Sequence, residues 1–175
     1  MLFPGGDGDY HDYGRFIFDN VKELNDVGWY LPIWGTCAGF HELVAYVSDE
    51  GWNVLDIYDM DSASLTLDFA YEAPEDIAMY AGLGPNAYLL EDHNVTYNSH
   101  HWSLNPSKFQ TDAGLAKWFR PTSLSYMPEP DSRSFVASAE TVGNRYPFFG
   151  TQYHPEKATR IFSEEQAVNH SWISI

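Results

Sequence analysis

Two short stretches of this 175-residue chain carry residue types that do nucleophilic chemistry when they meet. Gly35-Thr36-Cys37-Ala38-Gly39 has the G-x-Nuc-x-G spacing of a nucleophile elbow, in which flanking glycines let the backbone turn sharply and clear space around the central side chain. A sulfur held there sits at the carboxyl end of a strand and at a helix N-terminus, whose macrodipole favours thiolate over thiol. The turn also aims the Ala38 N–H beside the sulfur, where it can receive an oxyanion. Tyr153-His154-Pro155-Glu156-Lys157, near the other end, offers a base and a carboxylate two residues apart with a rigid proline between them. Cys37 is the one cysteine, so it forms no intrachain disulfide and a Cys-rich zinc module is excluded. A single cysteine is also commonly a small buried hydrophobe, and its surroundings decide between the two roles.

The elements that must position these groups follow from periodicity. Leu2-Phe3 reads as a strand ending in the loop Pro4-Gly5-Gly6-Asp7-Gly8. Tyr13, Phe16, Ile17, Val21 and Leu24 recur at helical spacing, with Gly28 as the stop. Leu31-Pro32-Ile33-Trp34 is a short apolar run, and Phe40, Leu43, Val44 and Val47 follow as one face of a helix, which places Cys37 at a strand-to-helix turn. Alternation from Val54 to Phe69 predicts strands there, with further strands at Ala87–Leu90, Val95–Asn98, Leu124–Met127, Phe135–Ser138 and Phe148–Gln152. Asp56, Asp59 and Asp61 lack the spacing and glycine of a calcium loop and read as a solvated acidic turn.

Composition bounds the function. The chain is 44% hydrophobic and 17% aromatic, ample for a core, with no repeat or long linker, so residues 1–175 read as one domain. Nine Lys and Arg against 25 Asp and Glu give a net charge of −16, which argues against a nucleic-acid or anionic-membrane partner. No apolar run reaches the length of a membrane span, and no signal peptide opens the chain. Asn94-Val95-Thr96 and Asn169-His170-Ser171 are glycosylation sequons, of use only along a secretory route.

Four blocks carry a more specific signal: Phe3-Pro4-Gly5-Gly6, then Pro32 to Phe40 around Gly35-Thr36-Cys37, then Asn98-Ser99-His100-His101-Trp102-Ser103-Leu104, then Tyr146 to Lys157. In this order they resemble the gamma-glutamyl hydrolase family of the class I glutamine-amidotransferase-like superfamily. The resemblance implies an α/β fold of three layers, a mostly parallel central sheet flanked by helices. It lacks the family's first β-α-β portion and its tail, so uncovered apolar strand edges are expected. It implies Cys37 as nucleophile, His154 as general base and then acid, Glu156 as the group orienting the imidazole, and an oxyanion hole from Ala38 with Gly5 or Gly6. His100 matches a substrate-binding histidine of the cleft, while an exposed loop pair is the plainer expectation for His100-His101. His41 stands where the family often has Glu and other amidotransferases Gln, again a substrate-binding position.

The implied reaction is hydrolysis of γ-glutamyl bonds of folylpoly-γ-glutamate through a thioester, with no cofactor and no metal. Homodimerisation and lysosomal, vacuolar or extracellular residence also belong to the resemblance. Repulsion between a polyanion and this acidic chain leads to the expectation that activity rises toward acid pH as the seven histidines charge, with Arg15, Lys108, Arg120 or Arg145 as cations available to the cleft. The rival expectations are a shortened, inactive subunit of an assembly and the glutaminase part of an amidotransferase.

Overall fold

The computed structural model describes residues 1–157. Five strands form one sheet in the order β1 (Leu2–Phe3), β2 (Ile33–Thr36), β7 (Phe148–Thr151), β6 (Ser134–Thr141) and β5 (Phe119–Tyr126). The remaining strands, β3 (Leu55–Leu65) and β4 (Thr96–Leu104), pair antiparallel as a separate two-stranded sheet. The helices are α1 (His11–Asp26), α2 (Ala38–Val47), α3 (Leu89–Asp92), α4 (Lys108–Thr111) and α5 (Ala113–Trp118). The expected α/β class holds, but the sheet is mixed: β1, β2 and β7 pair parallel, β6 runs against them, and β5, antiparallel to β6, returns to their direction.

The main core lies between the sheet and the helices on one face, where Phe3, Ile33 and Phe148 meet Phe40, Leu43 and Phe18. Each such side chain, fully buried, contributes on the order of 2 kcal/mol. Gly39 makes the approach of α2 possible: a β-carbon there would lie 2.0 Å from the Phe3 carbonyl oxygen, so only a hydrogen lets the helix rest across β1. On the opposite side, a second cluster joins Leu67, Ile77, Tyr80 and Ala87 to Ala137 and Tyr153 beneath 3₁₀ turns at Pro74–Asp76 and Ala81–Tyr88. At the sheet edge, Leu2 of β1 is exposed and a cavity of about 500 Å³ opens over Leu2, Trp34, Met79 and Phe149.

Three expectations need correction. Ala87–Leu90 is not a strand but the join between a 3₁₀ turn and α3; a short apolar run carries no periodicity to separate the two states. The residues that recur at helical spacing on α1 do not all face inward. Phe18, Val21 and Gly14 are buried, whereas Tyr13 is 79% and Phe16 68% exposed, because so aromatic a helix has apolar residues on two faces. Asp56, Asp59 and Asp61 lie along β3 rather than in a turn. Gly28 does end its helix, with φ of +96° and its N–H donated to the Asn25 carbonyl. No described helix is long and apolar enough to cross a membrane.

Candidate active site

Cys37 occupies the single residue between β2 and α2, with φ +50° and ψ −110°, a conformation that L-residues adopt at a cost of roughly 1–3 kcal/mol when their surroundings hold them there. The holding is visible. Its N–H donates to the Thr151 carbonyl at 2.7 Å, extending the β2–β7 pairing by one step, and its carbonyl accepts the His41 N–H at 3.0 Å in the first turn of α2. The side chain is thereby fixed at the carboxyl ends of two parallel strands.

The chain leaves β7 at the same end. Gln152 and Tyr153 follow, and the N–H of His154 donates to the Tyr97 carbonyl of β4 at 2.8 Å. His154 Nδ1 lies 2.7 Å from Glu156 Oε1, and the ring lines the same cavity as the Cys37 sulfur, near enough for the two to interact. Burial, the largest influence on the His154 pKa, pulls it down; the bonds to Cys37 and Glu156 and their charges outweigh it and raise it to about 9. For Glu156, burial pushes the carboxyl up, but the His154 bond and nearby backbone and charges bring it below its ordinary value. Near neutral pH the pair His154–Glu156 is therefore held as imidazolium and carboxylate beside the Cys37 sulfur.

Cys37 and His154 face a cavity of about 490 Å³, lined also by Gly6, Ala38, His41 and His100, with Glu156 behind the ring. Gly5 presses into the same cluster: a β-carbon there would meet His154 Cε1 at 2.7 Å and Cys37 Cβ at 3.2 Å. The structure thus brings together Cys37, His154, Glu156, Ala38, the Gly5-Gly6 loop, His41 and His100. Asn94 is apart, exposed on the turn before β4, and Asn169 lies outside the described residues.

Two corrections concern the histidines. His100 and His101 are not a loop pair but successive residues of β4, so they point to opposite sides. His101 is exposed and hydrogen-bonded to Asp59, whereas His100 is buried edge-on against Phe135 with only a weak approach to the Tyr58 backbone. Burial lowers the pKa of His100 to about 3, with the neighbouring His41 adding to the effect, and burial lowers that of His41 to about 4. The three histidines nearest the sulfur therefore keep one charge state each between pH 5 and 8, and acid does not charge the cleft through His41 or His100.

The cations expected to serve the cleft are engaged elsewhere: Arg15 with Asp19, Lys108 with Glu50, Arg120 with Glu72 and Glu140, and Arg145 over the Tyr146 ring. Among the described residues, Lys157 is the cation that lines the cavity. Sequence reasoning missed it as a site residue, along with Gln152, Asp7 and Asp61. The signal for Gln152 was available, since alternation along Phe148-Phe149-Gly150-Thr151-Gln152 places it on the Gly150 side, facing α2.

Fold and site together define an α/β protein with a cysteine at a strand-to-helix turn facing a histidine–carboxylate pair. Compared with known proteins, the chain resembles gamma-glutamyl hydrolases along nearly its whole length. It is 33% identical to the Mus musculus gamma-glutamyl hydrolase and 31% to that of Rattus norvegicus, each covering 98% of this chain and 53% of the relative. Gamma-glutamyl hydrolase B of Dictyostelium discoideum is 28% identical over 100% of this chain and 51% of its own length. The chain thus spans about half the length of the curated relatives it matches. No protein-family model matches it. Among solved structures, a Thermoplasma acidophilum protein proposed to be part of a GMP synthase shows a TM-score of 0.45 at 15% identity, over 83% of this chain and 58% of that one.

Proposed function

We propose that the chain is a cysteine hydrolase of γ-glutamyl bonds. The Cys37 thiolate attacks the γ-carbonyl of a γ-glutamyl peptide, and the oxyanion is received by the Ala38 N–H and an amide of the Gly5-Gly6 loop. The imidazolium of His154 gives its proton to the departing amine, leaving a γ-glutamyl thioester on Cys37. His154, now neutral, takes a proton from water, whose oxygen attacks the thioester; the carboxylate product leaves and the thiolate–imidazolium pair returns. Glu156 holds the ring with Nε2 toward the sulfur. Water in and amine plus acid out balance the reaction without cofactor or metal.

The observation that carries this reading is the placement of one imidazole, hydrogen-bonded to Glu156, beside Cys37 at the edge of a shared cavity. The names of the relatives support the bond type, and a folylpoly-γ-glutamate is the substrate that follows from them. Lys157 at the cavity wall supplies a cation for a substrate carboxylate in an otherwise acidic chain. A lysosomal, vacuolar or extracellular setting accompanies this proposal, with exposed Asn94 open to glycosylation.

The test is incubation of the purified chain with a pteroyl-poly-γ-glutamate at several pH values, beside Cys37→Ala. Shortened product that vanishes in the variant is expected. A folded sample that leaves the substrate intact at every pH assigns the chain to the non-catalytic alternative, and release of ammonia from glutamine in its place assigns it to the amidotransferase one.

A further inference from the structure

Besides the His154–Glu156 pair, the Cys37 sulfur has two neighbours: the Ser99 carbonyl oxygen at 4.0 Å, which can accept only from the S–H form, and a hydrogen-bonding chain through Gln152. The second starts from Gln152, which is fully buried and tied to β6 by its N–H donated to the Ala137 carbonyl at 2.8 Å. Its side-chain Nε2 lies 3.8 Å from Cys37 Sγ, and its Oε1 lies 2.9 Å from Nε2 of His41. We infer that Gln152 is a positioning residue for the nucleophile, donating from its side-chain amide to the Cys37 thiolate while His41 fixes which way that amide faces.

Donors and acceptors decide the arrangement. His41 is buried in α2 and neutral near pH 7, so its ring carries one N–H. With that proton on Nε2, the ring donates to Oε1 of Gln152 and the amide must turn its NH₂ toward the sulfur, which suits a thiolate. In the reversed arrangement Oε1 faces the sulfur and suits only S–H, while the amide donates to His41 and the ring's other nitrogen donates to the Trp102 backbone beside it. The arrangement present is the first, with Gln152 Nε2 toward the sulfur and Oε1 toward His41 Nε2, and a proton on His41 Nε2 holds it. An apolar or acidic side chain at 152 cannot donate to the thiolate. The other titratable groups lining the cavity are His154 and Lys157 after β7, His100, His101 and Tyr97 on β4, Asp61 on β3 and Asp7 after β1, with Tyr10 coupled to Cys37; His41 influences His100 among these, so the Gln152 variants, which remove no titratable group, are the primary test.

This inference rests on the reading of Cys37 as the nucleophile, and its test is the rate of iodoacetamide alkylation of the full chain against pH, which requires no substrate. A failure here and a failure of the γ-glutamyl proposal are therefore separate results. The loss of one hydrogen bond to a charged group corresponds to roughly tenfold, or about one pH unit in the midpoint of alkylation. Gln152→Leu and Gln152→Glu are expected to move the midpoint upward by about that much. His41→Leu is expected to move it part of the way, and His41→Gln, whose amide restores a donor near the position of the lost Nε2, to titrate as the wild type. A midpoint unchanged in Gln152→Leu overturns the inference. Should that variant not fold, an unchanged Gln152→Glu, or equal midpoints for His41→Leu and His41→Gln, overturns it as well.

Discussion

Replacing Gly5 by alanine is a sharp probe of how the site is held. The added methyl would lie 2.7 Å from His154 Cε1, 3.2 Å from Cys37 Cβ and 3.3 Å from the Thr36 carbonyl oxygen, where ordinary contact begins at 3.4 Å. The shortfall against the histidine is 3.4 − 2.7, or 0.7 Å, and none of the three neighbours is the free end of a flexible side chain. His154 is tethered through Nδ1 to Glu156 and through its N–H to Tyr97, and Cys37 through its N–H to Thr151. Either the ring or the loop must move by most of that distance, and a misplacement of about 1 Å costs on the order of 10²-fold in rate. We expect kcat for a γ-glutamyl anilide to fall by about 10- to 100-fold with KM changed far less. The control is Gly6→Ala: there φ is +115° and no atom lies within 4 Å, so the cost is backbone strain of roughly 1–3 kcal/mol in stability and not a displaced imidazole. Wild-type kcat in Gly5→Ala would refute the packing argument, as would identical kinetic losses in the two variants.

Other expectations follow from the same geometry. In Cys37→Ala the imidazole loses its sulfur partner, so NMR titration should find the His154 midpoint well below about 9. Because the folded pKa is raised from 6.5, the stabilisation is complete below pH 6.5 and is lost as pH rises through about 9; denaturant unfolding should show that decline in the wild type and a smaller one in Cys37→Ala. Glu156→Gln removes an exposed orienting carboxylate, and a rate loss of about 10- to 100-fold with an alkaline limb moved to lower pH is expected, at the modest end of general acid–base effects; an unmoved limb would count against it. Gly150→Ala places a carbon 2.2 Å from the Phe40 ring inside the core, and thermal unfolding should report a loss of about 1–3 kcal/mol.

Much of this arrangement was legible in the chain. The turn at Gly35 to Gly39 announced itself because a sharp strand-to-helix corner tolerates few residue types, and β2, β7 and α2 followed from apolar runs with clear ends. Cys37, His154 and Glu156 were readable for the same reason, since their chemistry and spacing are both unusual. What escaped was whatever depends on contacts across the fold. The face α1 buries could not be separated from its equally aromatic opposite face, and His100 and His101 could not be assigned to a strand without β3 as a partner. Lys157 and Gln152 lay beside recognised residues yet acquired a role only when the cavity was assembled around them.

The sulfur and the imidazole reach each other through a ladder of just four residue pairs, from Ile33 opposite Phe148 to Thr36 opposite Thr151. A strand advances about 3.3 Å per residue, so inserting or deleting a single amino acid within either member would slide one reactive group past the other by more than a bond to it can stretch. The same holds for the steps from Thr36 to Cys37 and from Thr151 to His154, which join the ladder to the reactive groups. Grafting this chemistry onto another scaffold accordingly means transplanting two short parallel segments, each extended to its reactive residue, in unbroken alignment, and natural variation in length should be sought outside them.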